Sequence, residues 1–86
     1  MNNDWYIYGA GGYGIETLDI LLENEKNFKA FFLDDYINVD SVKDNQVLSL
    51  TPELEGFVTI AIGEPSIRAN IYEKLMGFKL QVKSLI

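Results

Sequence analysis

The sequence contains no cysteine and no histidine. Their absence excludes zinc sites built on those ligands, thiol nucleophiles, disulfides and imidazole bases from this chain. A cysteine-free sequence also fits a reducing compartment. Positive charge is scarce. Seven Lys and Arg stand against thirteen Asp and Glu, a net charge of −6 with no basic cluster. Non-specific nucleic-acid binding and docking to anionic membranes both need positive surface, so neither partner is expected. No window approaches the roughly 20 apolar residues of a membrane span. The start Met1-Asn2-Asn3-Asp4 lacks the basic n-region of a signal peptide. A soluble cytoplasmic protein is expected.

At 86 residues the chain is one domain, long enough to bury about 60–65% of its unfolded surface. With 48% apolar and 23% charged residues its composition is that of an ordinary globular protein rather than a disordered one. Internal repeats, linkers and low-complexity stretches are missing.

Glycine is concentrated near the start, in Gly9-Ala10-Gly11-Gly12-Tyr13-Gly14. This cluster follows Trp5-Tyr6-Ile7-Tyr8, which reads as a buried strand over residues 5–9. It leads into a helix over 12–24, in which Ile15, Leu18, Leu21 and Leu22 recur at helical spacing opposite Glu16, Asp19 and Glu23. Glu16 is expected in the first turn, where it suits the helix dipole, and Asn24 is a plausible stop. A glycine-rich turn between a strand and a helix lets the backbone approach an anion, and the helix N–H groups point at it. The plain alternative is a tight connection in which small residues only let the helix pack on the sheet.

Phe28 to Leu33 reads as a second strand ending in Asp34-Asp35, residues 36–46 as a polar loop, and 47–50 as a short strand. Thr51-Pro52-Glu53 suggests a capped helical turn. Phe57 to Ile62, apolar on both faces, suits the centre of a sheet covered on both sides. Gly63-Glu64-Pro65-Ser66 is a second strand-to-helix turn. Ile67, Ile71 and Leu75 follow at steps of four, Gly77 is placed as the C-cap, and 78–82 alternates as a last strand. The expected fold is α/β: a three-layer, Rossmann-like parallel sheet of about four to five strands, ordered β-α-β-(β)-β-α-β. Trp5, Tyr6, Tyr8, Phe31, Phe32 and Phe57 are expected in the core. The apolar end Ser84-Leu85-Ile86 suggests that more protein follows.

Three features fall at the carboxyl ends of strands: the glycine loop, Asp34-Asp35 and Gly63-Glu64. Ligands of open α/β sheets bind outside those ends, where the strand order reverses. Asp34 stands 20 residues past Gly14, close to where the dinucleotide fingerprint places an acidic residue on ribose hydroxyls. A carboxylate there would also repel a 2′-phosphate. Tyr13 lies inside the loop, where its side chain could meet ligand, partner or solvent. Arg68 and Lys74 read as a solvated helix face, with Glu64–Arg68 and Asn70–Lys74 at helical spacing. No carboxylate pair has a spacing that demands acid–base work, so no catalytic residue and no metal ligand is assigned.

Ile7-Tyr8-Gly9-Ala10-Gly11-Gly12-Tyr13-Gly14, Phe32-Leu33-Asp34-Asp35, Ile60-Ala61-Ile62-Gly63 with Ile67-Arg68, and Ser84-Leu85-Ile86 occur in that order. Together they resemble the N-terminal domain of bacterial sugar O- and N-acyltransferases. That family includes the sialic acid O-acetyltransferases and the UDP-4-amino-sugar acetyltransferases of the bacillosamine pathway. The resemblance implies a Rossmann-like domain that binds the nucleotide-sugar acceptor. It implies a following left-handed β-helix that binds acetyl-CoA, carries a catalytic histidine and forms a homotrimer. The β-helix lies outside these 86 residues, and no cofactor is expected within them. The substrate-binding residues so implied are Gly9, Ala10, Gly11, Gly12, Tyr13, Gly14, Asp34, Asp35, Ile62 and Gly63. The family often has histidine where this chain has Tyr13. Two other readings remain open: a small NAD-binding domain of an oxidoreductase or redox sensor, and an interaction module without a ligand.

Overall fold

The computed structural model describes residues 4–24, 28–34 and 39–83. Along the chain come β1 (Asp4–Tyr8), α1 (Gly12–Asn24), β2 (Lys29–Leu33), β3 (Ser41–Val42), β4 (Asn45–Leu48), β5 (Glu55–Ile60), α2 (Pro65–Leu75) and β6 (Lys79–Val82). The strands form one sheet in the order β3-β4-β2-β1-β5-β6. The β4-β2-β1-β5-β6 ladders are parallel, and β3 runs antiparallel to β4. This is the expected Rossmann-like α/β architecture, with a sixth strand gained from the tract read as a loop.

The chain moves from β1 outward to β2 and β4, then returns to the opposite side of β1 with β5 and β6. Right-handed crossovers in opposite directions put the two helices on opposite faces. The side chains follow suit. On one face Trp5, Ile7 and Phe32 pack with Leu18 and Leu21 of α1. On the other, Tyr6, Tyr8, Leu33, Val58 and Leu80 pack with Leu75 of α2. Odd and even residues of one strand thus serve two cores, as the period of two requires. The β4–β5 crossover supplies Leu50 and Leu54 to the second core. Every expected aromatic core residue belongs to or packs on one of these clusters. The central register aligns Trp5 with Phe57, whose rings sit 5.1 Å apart, and Tyr6 stacks on Phe31 at 5.5 Å. The indole N–H of Trp5 donates to Thr59 Oγ1 at 3.0 Å, which satisfies a buried donor.

Several boundaries differ from expectation. The hairpin β3–β4 turns through Lys43 and Asp44, both with positive φ (50° and 64°). A two-residue loop with both residues left-handed is a type I′ turn. Glycine or asparagine usually marks such turns, so Lys-Asp gave no signal. Asn45, expected in the loop, starts β4 because its side-chain amide donates to Ala30 O at 3.0 Å, and the strand stops at Leu48 rather than residue 50. Replacing Asp44 with glycine removes the left-handed penalty and is expected to stabilise the domain by about 0.5 kcal/mol. Urea unfolding would show a higher midpoint at unchanged slope.

Thr51-Pro52-Glu53 makes a single turn closed by Leu54 N–H to Thr51 O at 3.2 Å, not a helix. β5 begins at Glu55 and ends at Ile60, two residues earlier at each end than expected. Pairing with β6 draws in Glu55 and Gly56, while Ala61 still donates to Tyr8 O at 2.9 Å. Helix α1 starts at Gly12, so Glu16 falls just past the first turn, which holds no acid. Met76 is the C-cap of α2, which puts Gly77 one residue beyond it. Asn24 is the last residue of α1. Ser84-Leu85-Ile86, Asp35 and residues 36–38 of the expected loop lie outside the described residues. Among the described residues, no helix is long and apolar enough to cross a membrane.

Candidate functional site

The strand order reverses at β1, so the loops after β1 and β5 diverge to opposite faces and leave a crevice at the carboxyl edge. The glycine loop forms one wall. Gly9 N–H donates to Leu33 O at 2.8 Å, and the residue takes φ +114°. A Cβ there would lie 2.8 Å from Ala61 O, so both conformation and space demand glycine. Gly14 is equally constrained, because its Cβ would overlap the Gly9 carbonyl. These two glycines fold the loop and seat α1 against it.

Gly11 and Gly12 differ. A Cβ at either position would meet no protein atom within 4 Å. The first intrahelical bond runs from Ile15 N–H to Gly11 O at 3.0 Å. The N–H groups of Gly12, Tyr13 and Gly14 therefore have no acceptor inside the helix. They form the positive end of the macrodipole, the standard chemistry of an anion seat. Ala10, buried, donates its N–H to Asp34 Oδ2 at 3.1 Å, which ties the end of β2 to the loop and fixes the direction of the Asp34 carboxylate.

The second helix end is occupied by the chain itself. Glu64, the N-cap of α2, accepts from Ser66 N–H at 3.3 Å and Ile67 N–H at 2.9 Å, and from the Ser66 hydroxyl. Pro65 at the first helical position has no N–H to offer. The Ser66 hydroxyl, then the Ile67 and Ser66 N–H groups, hold the Glu64 carboxyl below its ordinary range. Helical spacing suggested Arg68 as its partner; the cap takes the carboxylate instead. Among the described residues, α1 is the helix end at this edge whose first N–H groups are not capped by a side chain. A lowered folded-state pKa means the cap stabilises fully above the ordinary value of 4.5 and fades as pH falls through the folded value. Glu64→Ala should therefore lower the urea midpoint at neutral pH, and the gap to the parent chain should narrow as pH falls below 4.5.

Helix α2 is anchored mainly at its C-terminal end. Leu75 is buried and Ile71 half-buried, but Ile67 is 49% exposed. The unfilled space beneath its first turns is a cleft of about 570 Å³ lined by Tyr8, Gly9, Asp34, Ile62, Asn70 and Lys74 among others. A second groove, about 750 Å³, runs between the helices past Tyr13, Thr59, Ile62, Arg68, Tyr72 and Lys83. Ile62 lines both. Arg68, Lys74 and Lys83, three of the seven cations in an acidic chain, line these two spaces, although Glu16 and Glu73 also border the groove. Sequence spacing assigned Arg68 and Lys74 to a solvated face. They are exposed, and only the tilt of α2 over the sheet edge shows that the same face borders the crevice.

Of the residues expected at a site, the structure gathers Gly9, Ala10, Gly11, Gly12, Tyr13, Gly14, Asp34, Ile62 and Gly63 around this edge. Asp35 lies outside the described residues. Gly63 meets Tyr13: a Cβ on Gly63 would approach the Tyr13 ring to 3.2 Å. Asn70 was missed as a lining residue because nothing in its spacing points inward.

A parallel sheet with helices on both faces, a glycine-rich first turn and a crevice at the reversal of strand order define a Rossmann-like ligand-binding class of domain. The sequence profile of the PglD N-terminal domain matches residues 4–75. The chain belongs to that family, whose parent enzyme is a bacillosamine acetyltransferase, and is thus an acetyltransferase-associated domain. Among curated proteins, none matches the chain.

Proposed function

We propose that this domain binds a nucleotide sugar, the acceptor of an acetyltransferase, and holds its amino sugar for acetyl transfer from acetyl-CoA. The observation that carries the reading is the empty space over Gly11 and Gly12 beside helical N–H groups that have no acceptor within their own helix. A diphosphate fits that seat, since it needs N–H donors and close backbone approach. Asp34, steered by Ala10, is placed to accept from a ribose or base, and Ile62-Gly63 form the far wall. Arg68, Lys74 and Lys83 supply the positive potential that a dianionic ligand requires near a chain of net charge −6.

The domain's contribution is positioning, which turns a bimolecular encounter into an oriented one. We assign it no catalytic residue. Acetyl-CoA, the catalytic histidine and the trimer belong, in this reading, to a full-length cytoplasmic enzyme of the family. The NAD alternative is weaker, because a dinucleotide occupies two mononucleotide halves and this sheet has one glycine-rich turn, its other helix end being capped by Glu64.

Calorimetric titration of the folded chain with UDP, a UDP-amino-sugar and NAD tests the proposal. Saturable heat from the uridine ligands and none from NAD is expected. No heat from millimolar UDP-sugar would defeat the reading, and tighter binding of NAD would replace it.

A further inference from the structure

The Tyr13 ring is 62% exposed, yet it is not loose. Its backbone is fixed in the first turn of α1, where its carbonyl accepts from the Thr17 hydroxyl at 2.8 Å. Its ring rests against the backbone of Gly63, close enough that a single added carbon on that glycine would lie 3.2 Å from one ring atom and 3.6 Å from the next. Besides the close approach of Gly9 to Ala61 and Ile62, the two loops that bound the crevice thus meet at this ring and this glycine. The rest of the ring borders the groove between the helices, with Thr59, Arg68, Tyr72 and Lys83 around it.

We infer that Tyr13 is a stacking platform for the pyranose ring of the bound nucleotide sugar, and that Gly63 is glycine in order to seat it. This rests on the nucleotide-sugar reading above. Tyr13 follows Gly12 directly, so a phosphate held at the helix end lies beside the ring. The group esterified to that phosphate then enters the groove. The apolar face of a pyranose matches an aromatic face, while its hydroxyls remain free for polar neighbours such as Arg68 and Lys83. The hydroxyl of Tyr13 is not needed for this; the face of the ring is. The arrangement also accounts for the glycine at 63, which has an ordinary φ and no conformational reason to lack a side chain.

The test compares UDP and UDP-N-acetylglucosamine as probes, titrated into the full chain and its Tyr13→Ala, Tyr13→Phe and Gly63→Val variants, each confirmed folded by circular dichroism. Tyr13→Ala is expected to weaken UDP-N-acetylglucosamine about fivefold and UDP by less than about twofold, a loss of the size one aromatic contact supplies. Tyr13→Phe should bind both like the parent. Gly63→Val, which pushes the ring off its seat, should resemble Tyr13→Ala; binding like the parent would overturn the role given to Gly63. If Gly63→Val does not fold, the two Tyr13 variants decide. Equal loss for both ligands, no loss for either, or a Tyr13→Phe defect as large as that of Tyr13→Ala overturns the stacking role while leaving nucleotide-sugar binding intact. A parent chain that binds neither probe overturns both.

Discussion

Replacing Gly14 with alanine is expected to destabilise the domain by at least about 3 kcal/mol, and in an 86-residue chain that removes a large part of the total. The sign is the informative part. Gly14 lies inside α1, and glycine to alanine within a helix normally stabilises by about 0.5–1 kcal/mol. Here the new Cβ would overlap the Gly9 carbonyl, with Phe32 Cε1 a further 3.3 Å away. That carbonyl belongs to a backbone already fixed by the Gly9 N–H to Leu33 O bond, so it has little room to yield. Urea unfolding followed by the fluorescence of buried Trp5 would register the change. A midpoint equal to or above that of the parent would mean that α1 is not seated against the loop as described.

The opposite outcome is expected at Gly11. For valine there, the Cβ would meet no protein atom within 4 Å, and the backbone has no positive φ to accommodate. Loss of a tolerated N-cap should cost about 1 kcal/mol or less. Its isopropyl group would nonetheless fill the space a phosphate must enter to reach the N–H groups of α1. UDP-sugar affinity should fall at least about tenfold, roughly the loss of one good charge-assisted hydrogen bond. Calorimetry on a variant shown to retain its unfolding midpoint separates the two effects. Unchanged affinity would place the phosphate elsewhere. Gly11 and Gly14 thus predict opposite patterns, one losing ligand and keeping the fold, the other losing the fold.

Much of this was legible from residue order. The first strand, the glycine turn and the α1 repeat are strongly periodic, and periodicity reports on faces. The parallel sheet followed from alternation of strands and helices. The division of labour among the glycines was not legible, because a spacing motif does not say which Cβ would collide. Geometry separates Gly9 and Gly14, which the backbone needs, from Gly11 and Gly12, which it does not. The β3–β4 hairpin escaped because its left-handed turn is built on Lys43 and Asp44. The cap role of Glu64 was not legible because a cap and an i, i+4 pair can begin at the same residue, and it is the extended backbone of Glu64 with its bonds to Ser66 and Ile67 that marks the cap. The contact of Tyr13 with Gly63 spans the two halves of the chain and has no local signal.

The central pairing of β1 with β5 also bears on how the site comes into being. Trp5 and its hydrogen-bond partner Thr59 are 54 positions apart, so the chain must close a long loop before that contact forms, an entropic debt that slows folding relative to locally connected topologies. Both walls of the crevice straddle this closure, one following β1 and the other β5. An N-terminal nascent chain can form β1, α1 and β2, yet it has no crevice until β5 arrives. Nucleotide-sugar binding should therefore appear in stopped-flow refolding with the slowest phase, together with burial of Trp5, and never ahead of it.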